Sequence, residues 1–392
     1  MANLSVEFAG MHFPNPFMLA SAPPTRTGEM IRRAFAAGWG GAVTKSIALE
    51  PARDLQPRLH PLRYRKRAIG MENVELVTRL TVEEWQGEIA DVKAAYPSRP
   101  LWVSIMDAPV RENWQRLAEM MQEAGADALE LNVSCPHGMP SRGMGAFIGQ
   151  NAQLVGEVVS WVKEVSQVPV VVKLTPNVTD IAFVARAAKE NGADALSAIN
   201  TVLGLIGVNL DTLTPFPTVG GVSTYGGYSG PGIKPIALRC VAQIAKATGL
   251  PVSGLGGLST WEDAVEFMAV GAGTVQVGTA VMWNGYAVIE GLTQGMSSYL
   301  DSKGYADLKP VIGAALPRIV EFPEMPLTAR VRASVDDSCN GCLLCIPACA
   351  DGGYHAITGA KGEVVTIDGT RCDGCGLCAI VCPLNSITMV PR

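Results

Sequence analysis

The 392-residue sequence predicts an α/β chain in two parts, a (β/α)8 TIM barrel followed by a small cysteine-rich domain. Three observations predict it. Short β-branched apolar runs alternate with windows of helical period over the first ~310 residues. Polar residues gather where those runs end. Eight of the ten cysteines fall at or beyond position 339.

The strand-like runs are 16–21, 41–45, 101–106, 128–134, 168–174, 195–200, 251–255 and 274–279. They are apolar without strict alternation, as parallel strands covered on both faces should be. Between most of them lie windows of helical period, among them 30–37, 82–95, 112–124, 152–165, 181–190 and 236–247. Eight even strand–helix units suit a barrel. A doubly wound sheet is the rival, but the Gly-rich first turn it needs is missing. Residues 1–310 are therefore read as the barrel, 311–335 as a Pro- and Arg-containing linker without strong periodicity, and 336–392 as the cysteine-rich domain.

That last domain carries one spacing twice. Cys339, Cys342, Cys345 and Cys349 form one C-x2-C-x2-C-x3-C run, and Cys372, Cys375, Cys378 and Cys382 the other. In the two-cluster ferredoxin pattern the fourth cysteine of each run ligates the other cluster. The expected ligand sets for two [4Fe–4S] clusters are Cys339, Cys342, Cys345 and Cys382, and Cys372, Cys375, Cys378 and Cys349. Zinc would favour paired C-x2-C knuckles with longer gaps. Disulfides would need an oxidising compartment, and the N-terminus has no apolar signal region. Cys382-Pro383 keeps the usual proline, whereas Ala350 follows Cys349.

A net charge of −5 and a pI near 5.5 argue against a nucleic-acid binder, and the basic stretch 63–67 is too short to change that. No apolar run reaches the ~18–20 residues of a membrane span. Reduced thiols and oxygen-sensitive clusters point to the cytoplasm.

Within the barrel the sharpest signal is Asn132-Val133-Ser134-Cys135-Pro136-His137-Gly138, which ends the fourth strand. A cysteine there, followed by the Gly-rich loop 138–149, can be a proton donor carried on a lid. The alternative is a buried structural cysteine. Cys240, inside a helical window, is read as core. Asn177 is left out of the site, because it can equally cap the helix that begins near Thr179.

Long polar strings carry a resemblance: MIRRAFAAGWGGAVTK (30–45), GADALELNVSCPHGM (125–139), KLTPNVTDI (173–181), NTVLGL (200–205) and TYGGYSG (224–230). The barrel resembles the dihydroorotate dehydrogenase superfamily, most closely its dihydropyrimidine dehydrogenase branch, and the likeness continues through the cysteine-rich tail. The resemblance implies that Cys135 is the general acid. It implies that Asn73, Asn132, Ser134, Asn200 and Thr201 hydrogen-bond a pyrimidine. It further implies that Ser21, Lys45, Ser46, Lys173, Gly230, Leu255, Gly256, Gly257, Gly278 and Thr279 contact FMN. The stretch 61–67 is shorter and more basic than the family's at that place.

Residue chemistry agrees with these roles. Glycines at 256, 257 and 278 let the backbone approach a phosphate, although ordinary tight turns also use them. Lys45 and Lys173 end apolar strands and need a counter-charge. A reduced flavin's anionic edge would supply it, and so would a structural salt bridge. Several carboxamides suit a ring of alternating N–H and C=O groups such as uracil or thymine. Orotate, being anionic, would want an arginine or lysine as well.

The expected reaction is reversible reduction of the pyrimidine C5=C6 bond, with hydride from FMN N5 to C6 and a proton from Cys135 to C5. No G-x-G-x-x-G follows a strand, so no nicotinamide or FAD domain is read here. The resemblance implies that NAD(P)H and FAD sit on a partner subunit that feeds electrons through the clusters, in a homodimer or heterotetramer. Two alternatives stay open. One is a dihydroorotate dehydrogenase-like or other cyclic-amide oxidoreductase, separable by assay with uracil, thymine and orotate. The other is a non-catalytic flavin/iron–sulfur electron-transfer subunit, which would need no proton donor at Cys135.

Overall fold

The computed structural model describes residues 2–136 and 143–392. Eight parallel strands close into a barrel in chain order: β1 (Phe17–Leu19), β2 (Gly41–Val43), β3 (Leu101–Ile105), β4 (Ala128–Asn132), β5 (Val170–Leu174), β6 (Ala195–Ala198), β7 (Val252–Leu255) and β8 (Ala272–Val277), which returns to β1. All eight expected strands are present. Most are shorter than their apolar runs, so Ser21, Lys45, Ser134, Asn200 and Thr279 sit just past the strand ends rather than in them.

The helices outside the barrel are α1 (Gly28–Ala37), α2 (Val82–Ala95), α3 (Arg111–Glu123), α4 (Ala152–Lys163), α5 (Ile181–Glu190), α6 (Lys234–Thr248), α7 (Trp261–Ala269) and α8 (Val288–Lys303). Their starts are written locally. Thr81 and Glu84 form a reciprocal capping box at α2. Asp180 caps α5 through the N–H groups of Ala182 and Phe183, so Asn177 is not that cap. Cys240 is fully buried in α6, as expected.

At the N-terminal ends of the strands a hairpin, Val6–Phe8 with Met11–Phe13, closes the barrel. Phe8 lies 5.5 Å from the Trp102 ring, and Phe8 and Phe13 fill the space that Gly273 and Gly41 leave open. At the opposite end two long connections meet. The hairpin Leu59–Tyr64 and Arg67–Asn73, which follows β2, pairs with Gly226–Ser229, which follows β6; Gly226–Ser229 in turn pairs with Val202–Gly204. The result is a four-stranded antiparallel sheet at the end where barrel enzymes place their chemistry.

The chain divides into two compact units between Arg318 and Ile319. Leu308 and Val311 belong to the barrel core, while Val331–Val335 pairs antiparallel with Ile387–Pro391 in the second unit. The expected linker 311–335 is thus claimed at both ends by folded structure. The second unit adds a ladder between Ile357–Thr358 and Thr366–Ile367, and two short helices, Cys345–Asp351 and Leu377–Val381. Its small core is Ala333, Cys345, Ile357, Val365, Cys378 and Ile387. Among the described residues no helix is long and apolar enough to cross a membrane.

Candidate active site and cluster sites

A cavity of about 1030 Å³, open mouth included, lies at the C-terminal ends of the barrel strands. Every barrel residue singled out from the sequence lines it except Ser134 and Gly230. Those two stand one layer back. Ser134 is fully buried; its Oγ donates to Asn132 Oδ1 at 3.0 Å and accepts from Asn200 Nδ2 at 2.9 Å. The Gly230 carbonyl would lie 2.8 Å from a Cβ on Gly257.

Two long connections and β4 bring the amides together. Asn200 Nδ2 also donates to Asn132 Oδ1 at 3.2 Å, and Asn132 Nδ2 donates to Ser46 Oγ at 2.8 Å. Ser46 Oγ is hydrogen-bonded to Ser104 Oγ at 2.9 Å. Asn73 arrives from the hairpin, its Nδ2 anchored on the Gly227 carbonyl at 3.0 Å. Asn177 works behind this group: its Nδ2 donates to the Thr201 carbonyl and its Oδ1 accepts from the Leu203 N–H. It therefore braces the loop that carries Asn200 and Thr201.

Cys135 is 8% exposed and packs with Ala48, Val77, Met106 and Met144. The Ala146 N–H donates to the Cys135 carbonyl at 2.9 Å. Part of the expected lid, 138–142, lies outside the described residues, as does His137. Its far end, the short helix Ala146–Gly149, packs Gly149 so closely on the Val133 carbonyl that a Cβ would collide with it.

Both lysines in the wall have carboxylate partners that the sequence reading did not find. Lys173 Nζ donates to Glu130 Oε1 at 3.2 Å; Glu130 is fully buried and also accepts from Ser197 at 3.0 Å. Lys45 Nζ donates to Glu75 Oε2 at 3.2 Å, while Arg58 at 2.5 Å and Arg26 at 2.8 Å reach Glu75 Oε1. Burial alone would raise the Glu75 carboxyl. Lys45, the Arg58 hydrogen bond and Arg26 outweigh burial and hold it below the usual carboxylate range. The signal for Glu130 is a lone carboxylate within an apolar strand, and for Glu75 its place two residues after Asn73; neither reveals which lysine it meets. The basic stretch 61–67 forms the outer part of the hairpin and does not line the cavity.

Three features fit a flavin. Gln276, 1% exposed, lies in the cavity wall with its Oε1 unpartnered among the described residues, a buried acceptor that a ring N–H could satisfy. Gly256 and Gly257 have φ of +123° and +84°, and a Cβ on Gly257 would come within 2.7 Å of the Lys234 nitrogen. The Thr279 hydroxyl donates to Ser229 Oγ at 2.9 Å. Gly278 differs from the other two glycines: a Cβ there meets only Ala20 and Ala22 at ordinary contact distance.

In the C-terminal unit, Cys339, Cys342, Cys345 and Cys382 line one cavity, and Cys349, Cys372, Cys375 and Cys378 line another. These are the crossed sets read from the spacing. No three His, Cys, Asp or Glu side chains among the described residues converge closely enough for a single metal ion. Sulfurs spread around a cavity suit a cubane better than zinc. Backbone N–H groups of Ala333 and Ala356 point to Cys372 Sγ and Cys349 Sγ at 3.4 and 3.3 Å.

The closed barrel, its polar cavity and the cysteine-walled unit define an oxidoreductase. Residues 3–300 match the dihydroorotate dehydrogenase family, and the chain belongs to it. Residues 333–389 match the 4Fe-4S dicluster domain. The NAD-dependent dihydropyrimidine dehydrogenase subunit PreA of Escherichia coli K12 is 39% identical over 99% of this chain and 95% of its own length. The chloroplastic NADP(+) dihydropyrimidine dehydrogenase of Arabidopsis thaliana is 37% identical, over 80% of this chain and 77% of its own. The catalytic subunit of dihydroorotate dehydrogenase B (NAD(+)) from Pyrococcus abyssi is 42% identical, over 80% of this chain and 99% of its own.

Proposed function

We propose that the chain is the pyrimidine-reducing subunit of a cytoplasmic dihydropyrimidine dehydrogenase, converting uracil or thymine reversibly to the 5,6-dihydropyrimidine. The observation that carries this reading is the convergence of Asn73, Asn132, Asn200 and Cys135 on one cavity whose two lysines are already neutralised. Carboxamides offer donors and acceptors to a neutral ring, and among the described residues both lining lysines are already paired with carboxylates.

FMN would be held by Ser21, Lys45, Ser46, Lys173, Gly230, Leu255, Gly256, Gly257, Gly278 and Thr279, and when bound it supplies the hydride that pyrimidine C6 receives. The chain's own residues do the rest. Asn73, Asn132, Asn200 and Thr201 orient the ring, with Ser134 fixing the amides from behind. Cys135, among apolar neighbours that keep water from its sulfur, gives a proton to C5 and takes it back in the reverse direction. The two crossed cysteine sets would hold [4Fe–4S] clusters that bring electrons from an NAD(P)H- and FAD-binding partner, in a homodimer or a heterotetramer.

The second reading is dihydroorotate oxidation, which the identity to the Pyrococcus catalytic subunit favours. Turnover assays of the flavin-loaded chain with uracil, thymine and orotate, supplied with a chemical reductant such as dithionite, separate the two. Uracil or thymine reduction with orotate inert is expected; orotate-specific turnover would overturn the first reading. Cys135→Ala should keep the flavin and lose about 100-fold or more in rate, the usual scale for a positioned proton donor. A near-normal rate would remove Cys135 from the mechanism.

A further inference from the structure

We propose that Glu75 sets the charge selectivity of the cavity: its carboxylate occupies the Lys45 ammonium and reserves the site for uncharged rings, excluding pyrimidines that carry a ring carboxylate. The inference rests on the reading of the cavity as a pyrimidine site.

Among the described residues lining the cavity the only cations are Lys45 and Lys173, and the only carboxylate is Glu75. The two lysines are neutralised differently. Lys173 is paired from inside the barrel by Glu130, which does not line the cavity and accepts from Ser197 as well. Lys45 is paired from the cavity wall itself, by a side chain that is 3% exposed and stands two residues from Asn73.

Glu75 is also fixed from outside. Arg58 and Arg26 hold its other oxygen, and neither of them lines the cavity; Arg26 is further shared with Asp54 at 3.7 Å. These arginines keep Glu75 ionised and in place without offering their own charge to a ligand. A carboxylated ring seated on Asn73 would face this anion, and it would have to draw Lys45 away from it. Like charges brought together in a cavity repel, and such a repulsive element is how a site rejects a near-isostere. The amides alone do not discriminate, because a carboxylated ring offers them the same N–H and C=O edge.

The test is calorimetric binding of uracil, orotate and the neutral amide of orotate to the flavin-loaded full chain and to Glu75→Gln. The wild-type chain should bind the amide about tenfold or more tightly than the acid, and Glu75→Gln should raise the orotate-to-uracil affinity ratio by about tenfold, the size of a modest like-charge penalty. Equal rejection of amide and acid by the wild-type chain would mean the filter is one of size, and would overturn the proposal. An unchanged ratio in a folded Glu75→Gln variant would also overturn it. The amide–acid contrast needs no variant, so a misfolded Glu75→Gln leaves the proposal testable. A wild-type chain that binds no uracil at all would defeat the pyrimidine reading instead, a separate result.

Discussion

Asn73 and Glu72 are neighbours in one strand, yet they meet opposite environments. Asn73 faces the cavity, while Glu72 points to the other side of the small sheet, fully buried, opposite His60 on one neighbouring strand and Tyr228 on the other. Among the described residues neither Glu72 oxygen makes a well-formed hydrogen bond. Burial pushes its carboxyl up to about 7, with the Ile206 N–H pulling weakly the other way. Because the folded-state value is raised, the protonated form is the one that folding favours. Stability is therefore lost as pH climbs from about 4.5 to 7 and levels off above that. His60, pushed down by burial and then by Arg63, acts in the opposite sense, so the comparison must be with a variant rather than with pH alone. Glu72→Gln should match the wild-type chain near pH 5 and exceed it by about 1–3 kcal/mol at pH 8 in barrel unfolding; an equal pH slope in both would mean that Glu72 finds a partner in solution. Residues of this kind also mark how far the sequence could be read. The place of Cys135, Asn132 and Asn200 in the cavity wall was legible because they stand in polar strings at strand ends, whereas Asn73 lies outside those strings. Glu75 and Glu130 were not assigned, because a carboxylate's role depends on which distant lysine it meets.

At the level of elements, the eight barrel strands were readable because each is a short apolar run between periodic helices. The sheet over the cavity was not. Its strands are three to seven residues long and come from connections more than a hundred residues apart in sequence. No local pattern marks such a pairing, and the stacking of His60 on Phe216 at 4.0 Å ties the same two connections together. The C-terminal unit is the contrary case: the two groups of cysteines that line its cavities are the crossed groups that the spacing alone suggests. Three cysteines within one run reach three corners of a cubane and leave the fourth to the other run. Cys382→Ala should therefore remove a ligand from the cluster of the first run, although Cys382 belongs to the second. Iron per chain should fall from about eight toward about four, with the surviving cluster the one walled by Cys349, Cys372, Cys375 and Cys378. Loss of the second-run cluster instead, read by iron content together with alkylation of the exposed sulfurs, would reverse the crossed assignment.

The molecule as a whole joins two units that differ in what holds them together. The first, Met1–Arg318, has a continuous apolar core running through the barrel and its helices, including four fully buried tryptophans. The second, Ile319–Arg392, has six buried core residues, two of them cysteines. So small an apolar core supplies little stability by itself, and metal centres commonly make up the difference in domains of this size. The two units should therefore respond differently to iron. A chain ending at Arg318 keeps every residue of the barrel core, and the Pyrococcus relative matches over 99% of its own length while covering 80% of this chain. The truncated chain should fold, bind one flavin and no iron, and unfold within about 5 °C of the barrel transition of the full chain, the scale of a ~1–2 kcal/mol change in a domain this large. In the full chain, chelating the iron should abolish a separate, earlier transition from the C-terminal unit and leave the barrel transition in place. Aggregation of the truncated chain, or a barrel transition that moves with iron removal, would show that the barrel draws its stability from the cluster unit. The same pair of proteins separates hydride chemistry from electron supply. Both should show flavin reduction by dihydrouracil in a single turnover, only the full chain should also bleach iron–sulfur absorbance, and neither should be reduced by NADH alone.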